Sequence, residues 1–301
     1  MSSWLLSPRK VALLVFYDSL LLQSMSTIDI LNALPKVQQY EAAAFLLIAG
    51  PCAVESRASA FQIAETIREI CFKLKIPYLF KASYKKANRS RLDSFTGIGD
   101  LKALEILADI GKELDLPVTT DVHTVEEAWQ AAEFVDVLQI PAFLCRQTDL
   151  IVAAAQTGKI VNIKKGQFLA ANQMQFARAK ATESGAENVW LTERGSSFGY
   201  SDLIVDFRGL PAMRETGSPV VLDCTHSLQQ PNRAQGITGG RPGMIQTIAR
   251  CGIAAGADGL FIETHPDPPN ALSDGANMLH LNKLETLLED LLPLYRLLNP
   301  A

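Results

Sequence analysis

The sequence predicts an α/β fold: a single (β/α)8 barrel (TIM barrel) with a short N-terminal extension. Short runs rich in valine, isoleucine, leucine and phenylalanine recur eight times between residues 45 and 263. Segments of helical period lie between these runs, so strand and helix alternate along the chain. Such alternation is typical of parallel strands, and eight units match a barrel of about 250 residues. A doubly wound sheet would usually have fewer strands and a glycine-rich nucleotide turn after the first.

Each strand candidate is a short apolar run, and several begin at a proline or an aspartate, as expected where a turn ends. Amphipathic segments such as 58–70 and 101–114 are the helix candidates between the strands. The eight strand candidates are 45–49, 78–81, 117–121, 136–140, 159–164, 188–193, 219–223 and 258–263.

The chain divides into an N-terminal extension, residues 1–40, and a barrel domain, residues 41–301. The apolar run 11–16 in the extension is too short for a spanning helix, which needs about 20 apolar residues. A signal peptide remains open, but the segment has no clean small-residue cleavage site. Residues 1–24 are interpreted as an upstream segment that the domain does not need.

Composition limits the classes of partner and compartment. Hydrophobic residues make up 48% of the 301, enough for a sizeable core, and the net charge of −4 gives no general reason to expect nucleic acid. The five cysteines have no paired short spacing, which favours reduced thiols in a cytoplasmic protein. No membrane partner is expected.

Reactive and charged residues follow the predicted strands at the ends where barrel active sites lie. The opposite ends begin with residues typical of turns, so a random distribution of surface charge does not explain the pattern. The strand-end residues, in chain order, are Cys52, Lys81, Asp121, His123, Gln139, Phe143, Lys164, Arg194, His226 and Glu263.

Two kinds of chemistry are present in this ring. Five cations, Lys81, Lys86, Arg89, Lys164 and Arg194, exceed what one small anion needs, so two anionic substrates are expected. A thiolate, an imidazole and two carboxylates could surround a divalent transition metal. Those metal-ligand candidates are Cys52, His226, Glu263 and Asp274. His123 could support the site or be structural, and His265 and His280 are expected in solvated loops.

These residues stand in motifs that resemble the 3-deoxy-D-manno-octulosonate 8-phosphate synthase family from about residue 45 to residue 295. The Lys-Ala-Asn-Arg-Ser loop at 86–90 separates this family from 3-deoxy-D-arabino-heptulosonate 7-phosphate synthase, whose loop has a Lys-Pro-Arg-Thr pattern. The other matching segments are 48–52, 80–83, 120–123, 139–144, 146–149, 162–168, 193–195, 198–200, 225–229 and 263–266.

The resemblance implies a transferase that condenses phosphoenolpyruvate with D-arabinose 5-phosphate and water, releasing phosphate. It also implies that Lys164 and Arg194 hold phosphoenolpyruvate, with Lys81 and Lys86 nearby, and that residues 88–90 hold the pentose phosphate. Our catalytic candidates are Lys81, Lys86, Asp121, Lys164, Arg194 and His226. Our substrate-binding candidates are Asn88, Arg89, Ser90, Gln139, Phe143 and Gln167.

The chain is similar to the metal-dependent class of that family. It has Cys52 where metal-independent members usually have asparagine, and it has a Ser273-Asp274-Gly275 element. The donor set suits Zn²⁺, Fe²⁺, Co²⁺ or Mn²⁺ better than Mg²⁺, and the sequence leaves the identity of the ion open. The resemblance further implies a homo-oligomer, a tetramer, with Arg89 and Ser90 near a subunit interface.

Three other readings stay open at the level of sequence. The first is the heptulosonate synthase, which would use erythrose 4-phosphate. The second is an aldolase that forms a Schiff base on one lysine, and the third is a non-catalytic sugar-phosphate-binding barrel. The glycine-containing loop 230–241 is expected to act as a lid over bound substrates.

Overall fold

The computed structural model describes residues 30–37, 40–41, 43–89, 92–198, 202–230 and 238–300. Ser90 lies outside the described residues. So do most of the predicted N-terminal extension and residues 231–237, which form the greater part of the loop expected to act as a lid.

Eight parallel strands form a closed barrel, which confirms the predicted fold class. Each strand pairs with the next in chain order, and the first also pairs with the eighth, so the sheet closes on itself. The strands are β1 Leu46–Gly50, β2 Tyr78–Lys81, β3 Val118–Asp121, β4 Val137–Ile140, β5 Ile160–Lys164, β6 Val189–Glu193, β7 Val220–Asp223 and β8 Gly259–His265.

Helices alternate with the strands and cover the outside of the barrel. In the first of them the buried residues include Ala60, Ile63, Ala64 and Ile67, a helical spacing that puts them on one face. Ser56 begins this helix by accepting a hydrogen bond from the Ser59 amide. The helices are α1 Arg57–Leu74, α2 Asp100–Glu113, α3 Val125–Ala132, α4 Thr148–Gln156, α5 Met174–Glu183, α6 Gly209–Arg214, α7 Ile245–Ala254 and α8 Leu284–Leu298.

The barrel interior is apolar at the amino ends of the strands. Alternate residues point inward, as Leu46 and Ile48 do, whereas Leu47 and Ala49 pack against the helices. Ile30, Leu31 and Leu34 join the interior cluster. Three residues upstream of residue 41 therefore pack with the barrel. The interior cluster contains Leu46, Ile48, Leu79, Val137, Ile160, Trp190, Val221 and Phe261 with those three.

The carboxyl ends of the strands carry polar side chains instead. Lys81, Asp121, Lys164 and Asp223 are each the last residue of a strand and are at most 7% exposed. Buried charged residues are rare unless they are paired, so their partners define the chemistry of this end of the barrel. In the part of the chain that the structure describes, no helix is long and apolar enough to cross a membrane.

Candidate active site

Asp223 lies at the centre of the polar end of the barrel. Its Oδ2 accepts hydrogen bonds from Lys164 Nζ at 2.6 Å and from His226 Nδ1 at 2.8 Å. Its Oδ1 accepts the backbone amides of Thr225 and His226. Burial opposes ionisation of this carboxyl, but His226 and Lys164 outweigh burial and hold its pKa well below the usual value. Asp223 therefore orients both a lysine and an imidazole.

Glu263 continues this network on β8. Its Oε1 lies 3.5 Å from His226 Nε2 and 3.4 Å from Lys81 Nζ, and the Lys81 ammonium lies 3.8 Å from Asp121 Oδ1. Asp121 Oδ1 also accepts a hydrogen bond from Ser83 Oγ. Burial raises the pKa of Asp121, but Lys81 and the bond to His123 outweigh it, so this carboxyl stays ionised.

Phe261 forms the floor beneath these charges. Lys164 Nζ lies 3.6 Å from the centroid of the Phe261 ring, and Lys81 Nζ lies 5.4 Å from it. The ring faces the imidazole of His226 at 5.6 Å between centroids. A ring face attracts cations, so the Phe261 ring stabilises the two ammonium groups near it. The sequence reasoning did not select Phe261, although it lies two residues before Glu263 and so on the same face of the strand.

Three of the four predicted metal ligands form a compact group. Donor atoms of Cys52, Glu263 and Asp274 all lie within 4.8 Å of one another. The fourth, His226, lies beside them, with Nε2 at 4.0 Å from Asp274 Oδ2. Glu263 is completely buried, and its Oε2 has no hydrogen-bond partner among the described residues. A buried carboxylate oxygen without a partner is costly, and a cation would satisfy it. The residues fit a divalent metal.

Burial raises the pKa of the Cys52 thiol to about 12, and the charge of Glu263 adds to this effect. A metal ion reverses that balance, because a coordinating thiol is deprotonated outright. Lys86 faces the same group. Burial lowers its pKa, but Cys52 and Glu263 outweigh burial and raise it, so the lysine stays charged.

Local backbone contacts bring the ligand loops together. The Lys81 carbonyl oxygen approaches Gly50 so closely that a Cβ there would lie 2.0 Å from it, so the position must be glycine. Cys52 follows two residues later, and its Sγ lies 3.0 Å from Ser273 Oγ. Asp274 adopts a left-handed conformation with φ of 50°, which aspartate tolerates better than most residues.

Arg194 presents a free donor to the site. It is 5% exposed, and its Nη2 donates to Gln229 Oε1 at 2.8 Å. Its Nη1 is buried with no hydrogen-bond partner in the described part of the chain. The Glu193 carboxylate accepts the amides of Arg194 and Gly195 and so fixes the turn that carries the guanidinium. An unpaired, buried guanidinium donor is suited to a carboxylate or phosphate oxygen.

The structure places the substrate-binding candidates in two kinds of environment, one buried and one exposed. Gln139 is 4% exposed, and its Oε1, like that of Gln167, is buried with no partner among the described residues. Asn88 is exposed, and the Arg89 Nε donates to the Phe95 carbonyl at 2.7 Å. Phe143 is 59% exposed. The structure thus buries Gln139 and the side-chain oxygen of half-buried Gln167, and leaves Asn88 and Phe143 on the surface.

His123 supports the site from one side. Its Nε2 lies 3.3 Å from Asp121 Oδ2, and its Nδ1 lies 2.8 Å from Glu127 Oε2. Burial lowers the pKa of this imidazole, but the bonds to Asp121 and Glu127 raise it above its usual value. Of the two readings left open, the one in which His123 supports the site fits this contact with Asp121.

The prediction that His265 is solvated was wrong. The eighth strand runs two residues further than the sequence indicated, so His265 is its last residue and is 7% exposed. Its Nδ1 accepts the Asp267 amide at 3.1 Å, and its Nε2 lies 3.8 Å from Glu55.

Sequence reasoning also missed a structural lysine. Lys165 follows Lys164 but points away from the network around Asp223. Its ammonium donates to the carbonyls of Gly166, Leu169 and Gly195 at 3.2–3.3 Å and lies 3.4 Å from Glu193 Oε1. This lysine ties the loop after β5 to the loop after β6.

Comparison with known proteins agrees with the fold. Residues 28–295 match the DAHP synthetase I family. A 2-dehydro-3-deoxyphosphooctonate aldolase of Koribacter versatilis is 54% identical over 257 residues, which cover 84% of this chain and 92% of the relative. The aldolase of the same name from Brucella anthropi is 53% identical over 255 residues, covering 85% and 92%. That of Agrobacterium fabrum is 54% identical over 248 residues, covering 82% and 88%. The chain belongs to the DAHP synthetase I family and, within it, to the 2-dehydro-3-deoxyphosphooctonate aldolases.

Proposed function

We propose that the protein condenses phosphoenolpyruvate with D-arabinose 5-phosphate and water to give 3-deoxy-D-manno-octulosonate 8-phosphate and inorganic phosphate. This reaction is a step in the synthesis of octulosonate for lipopolysaccharide or cell-wall polysaccharide. One observation carries the proposal. The same rim holds a buried guanidinium nitrogen and a buried carboxylate oxygen, Arg194 Nη1 and Glu263 Oε2, that both lack partners among the described residues. The first suits an anionic substrate and the second suits a cation.

The chemistry forms one carbon–carbon bond. Carbon 3 of phosphoenolpyruvate attacks the aldehyde carbon of the pentose while water adds at carbon 2, and the aldehyde oxygen takes up a proton to become a hydroxyl. The resulting hemiketal phosphate breaks its bond between carbon 2 and the phosphate oxygen, which leaves the keto acid and inorganic phosphate. The protein must hold two anions together, shield the reacting carbon and stabilise charge on the aldehyde oxygen.

Lys164 and Arg194 are assigned to the carboxylate and phosphate of phosphoenolpyruvate, with Lys81 and Lys86 beside them. The buried positions of Lys81, Lys164 and Arg194 support this assignment, because electrostatic attraction is stronger where water is excluded. Asp121, kept ionised by its neighbours, can accept the proton that water loses on adding to carbon 2.

The pentose phosphate is assigned to Asn88, Arg89 and Ser90. The first two lie on the loop after β2, on the accessible side of the rim, where a larger substrate can enter. Gln139 and Gln167 each offer a buried carbonyl oxygen without a partner among the described residues, and hydroxyl groups of a sugar would satisfy such oxygens. Phe143 supplies an exposed ring at the same rim.

Cys52, His226, Glu263 and Asp274 are assigned to a divalent ion, Zn²⁺, Fe²⁺, Mn²⁺ or Co²⁺. Such an ion, when bound by these residues, would supply a Lewis acid for the aldehyde oxygen. Asp223 orients the His226 ring through Nδ1 and leaves Nε2 facing Glu263 and Asp274, as a carboxylate partner does for metal-binding histidines.

We further propose that the protein is a cytoplasmic homotetramer with Arg89 and Ser90 near a subunit interface. Four exposed phenylalanines on the loops and first helical turn after β4, β5 and β6 support a self-association surface, since aromatic residues are enriched at interfaces. They are Phe143, Phe168, Phe176 and Phe198, which are 56–74% exposed. Sedimentation that gives only a monomer at micromolar concentration would contradict the tetramer.

Phosphate release decides between the possible activities. Protein loaded with each divalent ion in turn is incubated with phosphoenolpyruvate and either arabinose 5-phosphate or erythrose 4-phosphate. We expect rapid phosphate release when phosphoenolpyruvate is combined with arabinose 5-phosphate, and none when it is combined with erythrose 4-phosphate. Removal of the ion with a chelator should abolish this release reversibly. Release with the tetrose alone would make the chain a heptulosonate synthase. No release with either, in protein that binds both substrates, would indicate a non-catalytic barrel, and borohydride trapping would reveal a Schiff-base lysine.

A further inference from the structure

Gln229 connects the anion-binding and metal-binding halves of the site through one side-chain amide. Its Oε1 accepts a hydrogen bond from Arg194 Nη2 at 2.8 Å, and its Nε2 donates to Asp274 Oδ2 at 2.8 Å. A guanidinium can only donate and a carboxylate can only accept, so these partners fix the orientation of the amide. A flip would lose both bonds.

The strand that carries Gln229 is packed tightly against the loop that carries Asp274. Gln229 pairs with Gly240 in a two-residue antiparallel ladder. A Cβ on Gly240 would lie 1.7 Å from Asn277 Oδ1, so the ladder and the loop touch with no intervening space. The Asn277 amide in turn donates to the Asp274 carbonyl at 2.9 Å. Displacement of Gln229 must therefore displace Asp274 or break its bond to the amide.

We propose that Gln229 is a positioning residue that couples anion binding at Arg194 to divalent-metal binding at Cys52, Glu263 and Asp274. An anion held by Arg194 fixes the guanidinium, the guanidinium fixes the amide, and the amide fixes the Asp274 carboxylate towards the metal group. This coupling rests on the proposed function, which places phosphoenolpyruvate at Arg194 and the ion at the three ligands. The proposal adds a connection between these two sites through Gln229, which contacts neither of the two carbons that react.

The coupling has a reciprocal, measurable form. If phosphoenolpyruvate tightens metal binding by some factor, the metal tightens phosphoenolpyruvate binding by the same factor, and such factors are typically about 5 to 150. Direct attraction between anion and cation contributes to this factor in any variant. The share carried by Gln229 is the part that disappears when its amide is removed.

The test uses three variants of the full chain. Gln229→Met keeps the side-chain length and loses both hydrogen bonds, and Gln229→Asn keeps the amide but is too short to reach both partners. Gln230→Met is the matched control, because Gln230 is the next residue of the same ladder and donates to Asp202 at 2.7 Å instead. Co²⁺ is titrated calorimetrically into metal-free protein with and without phosphoenolpyruvate, and phosphoenolpyruvate with and without Co²⁺.

We expect the coupling factor to fall about fivefold or more in both Gln229 variants and to stay within about twofold of the original in Gln230→Met. Metal affinity without phosphoenolpyruvate should change less than the coupling factor does, which a general loss of structure would not produce. An unchanged coupling factor in either folded Gln229 variant would overturn the coupling. So would a coupling factor of one in the unmodified protein. Either result would leave the proposed function standing. Failure of the unmodified protein to bind phosphoenolpyruvate at all would overturn both.

Discussion

Asp223 Oδ2 lies 2.6 Å from Lys164 Nζ, and both residues are the last of their strands, β7 and β5. The two strands are not neighbours, because β6 lies between them in the sheet. The bond therefore crosses the mouth of the barrel. The same carboxylate oxygen also holds His226, so one buried anion orients both the lysine assigned to the substrate and the imidazole assigned to the metal.

Asp223→Asn should lower both the free energy of unfolding and the affinity for a divalent metal. An asparagine keeps the shape but removes the charge that opposes the Lys164 ammonium, and loss of one partner of a buried ion pair costs about 3–5 kcal/mol. Loss of the carboxylate behind a metal-binding histidine typically lowers metal affinity about 10–100-fold. Chemical denaturation and Co²⁺ titration measure the two effects. Asp206→Asn, which breaks an exposed bond to Arg208, is the control and should change neither.

His123 gives the stability a defined dependence on pH. Its pKa in the folded protein is raised above the unfolded value of 6.5 by Asp121 and Glu127, against the effect of burial. The stabilising contribution of its charge is therefore complete below pH 6.5 and is lost as the pH rises through the folded pKa. His123→Gln should cost more free energy of unfolding at about pH 5.5 than at about pH 9. Denaturant titrations of both proteins at each pH check this, and an equal cost at the two values would contradict it.

Arg194→Lys should raise the KM for phosphoenolpyruvate about 10–100-fold, since a bond to a charged group contributes about 1.5–3 kcal/mol. Lysine keeps the positive charge but loses the planar fork that can bind Gln229 and an anion at once. The KM for the pentose phosphate should change much less. Steady-state kinetics with each substrate varied in turn provide the measurement. Arg208→Lys, an exposed arginine paired with Asp206, serves as control.

Lys165→Met should destabilise the protein without changing substrate affinity. Removal of the ammonium leaves Glu193 without its cation and takes one hydrogen bond from each of three carbonyls, and breaking a buried ion pair costs about 3–5 kcal/mol. The KM for both substrates should stay within about twofold in the folded variant. Lys180→Met, whose ammonium bonds the Arg146 carbonyl and Thr148 nearer the surface, should lose about 1 kcal/mol or less. A large rise in KM with unchanged stability would instead place Lys165 in the substrate site.

Local pattern was sufficient to predict the strands and most of the residues at their ends. Apolar runs such as 78–81 and 219–223 became β2 and β7 at nearly the predicted bounds, because side chains alternate every two residues and the pattern needs no distant partner. The placement of Cys52, Glu263 and Asp274 in one group also followed, since parallel strands in a barrel end on the same side.

Tertiary structure alone decided which side chains meet across the barrel mouth. The bond between Asp223 and Lys164, the position of Phe261 beneath two lysines and the amide of Gln229 between Arg194 and Asp274 join residues that lie 35 to 180 positions apart in sequence. Such distances depend on how the strands tilt and stagger when the sheet closes, and no local periodicity encodes that geometry. Lys164 and Lys165 are adjacent, and nothing in the sequence distinguishes them. Side chains alternate at a strand end, so Lys164 points towards Asp223 in the site and Lys165 packs among the rim loops.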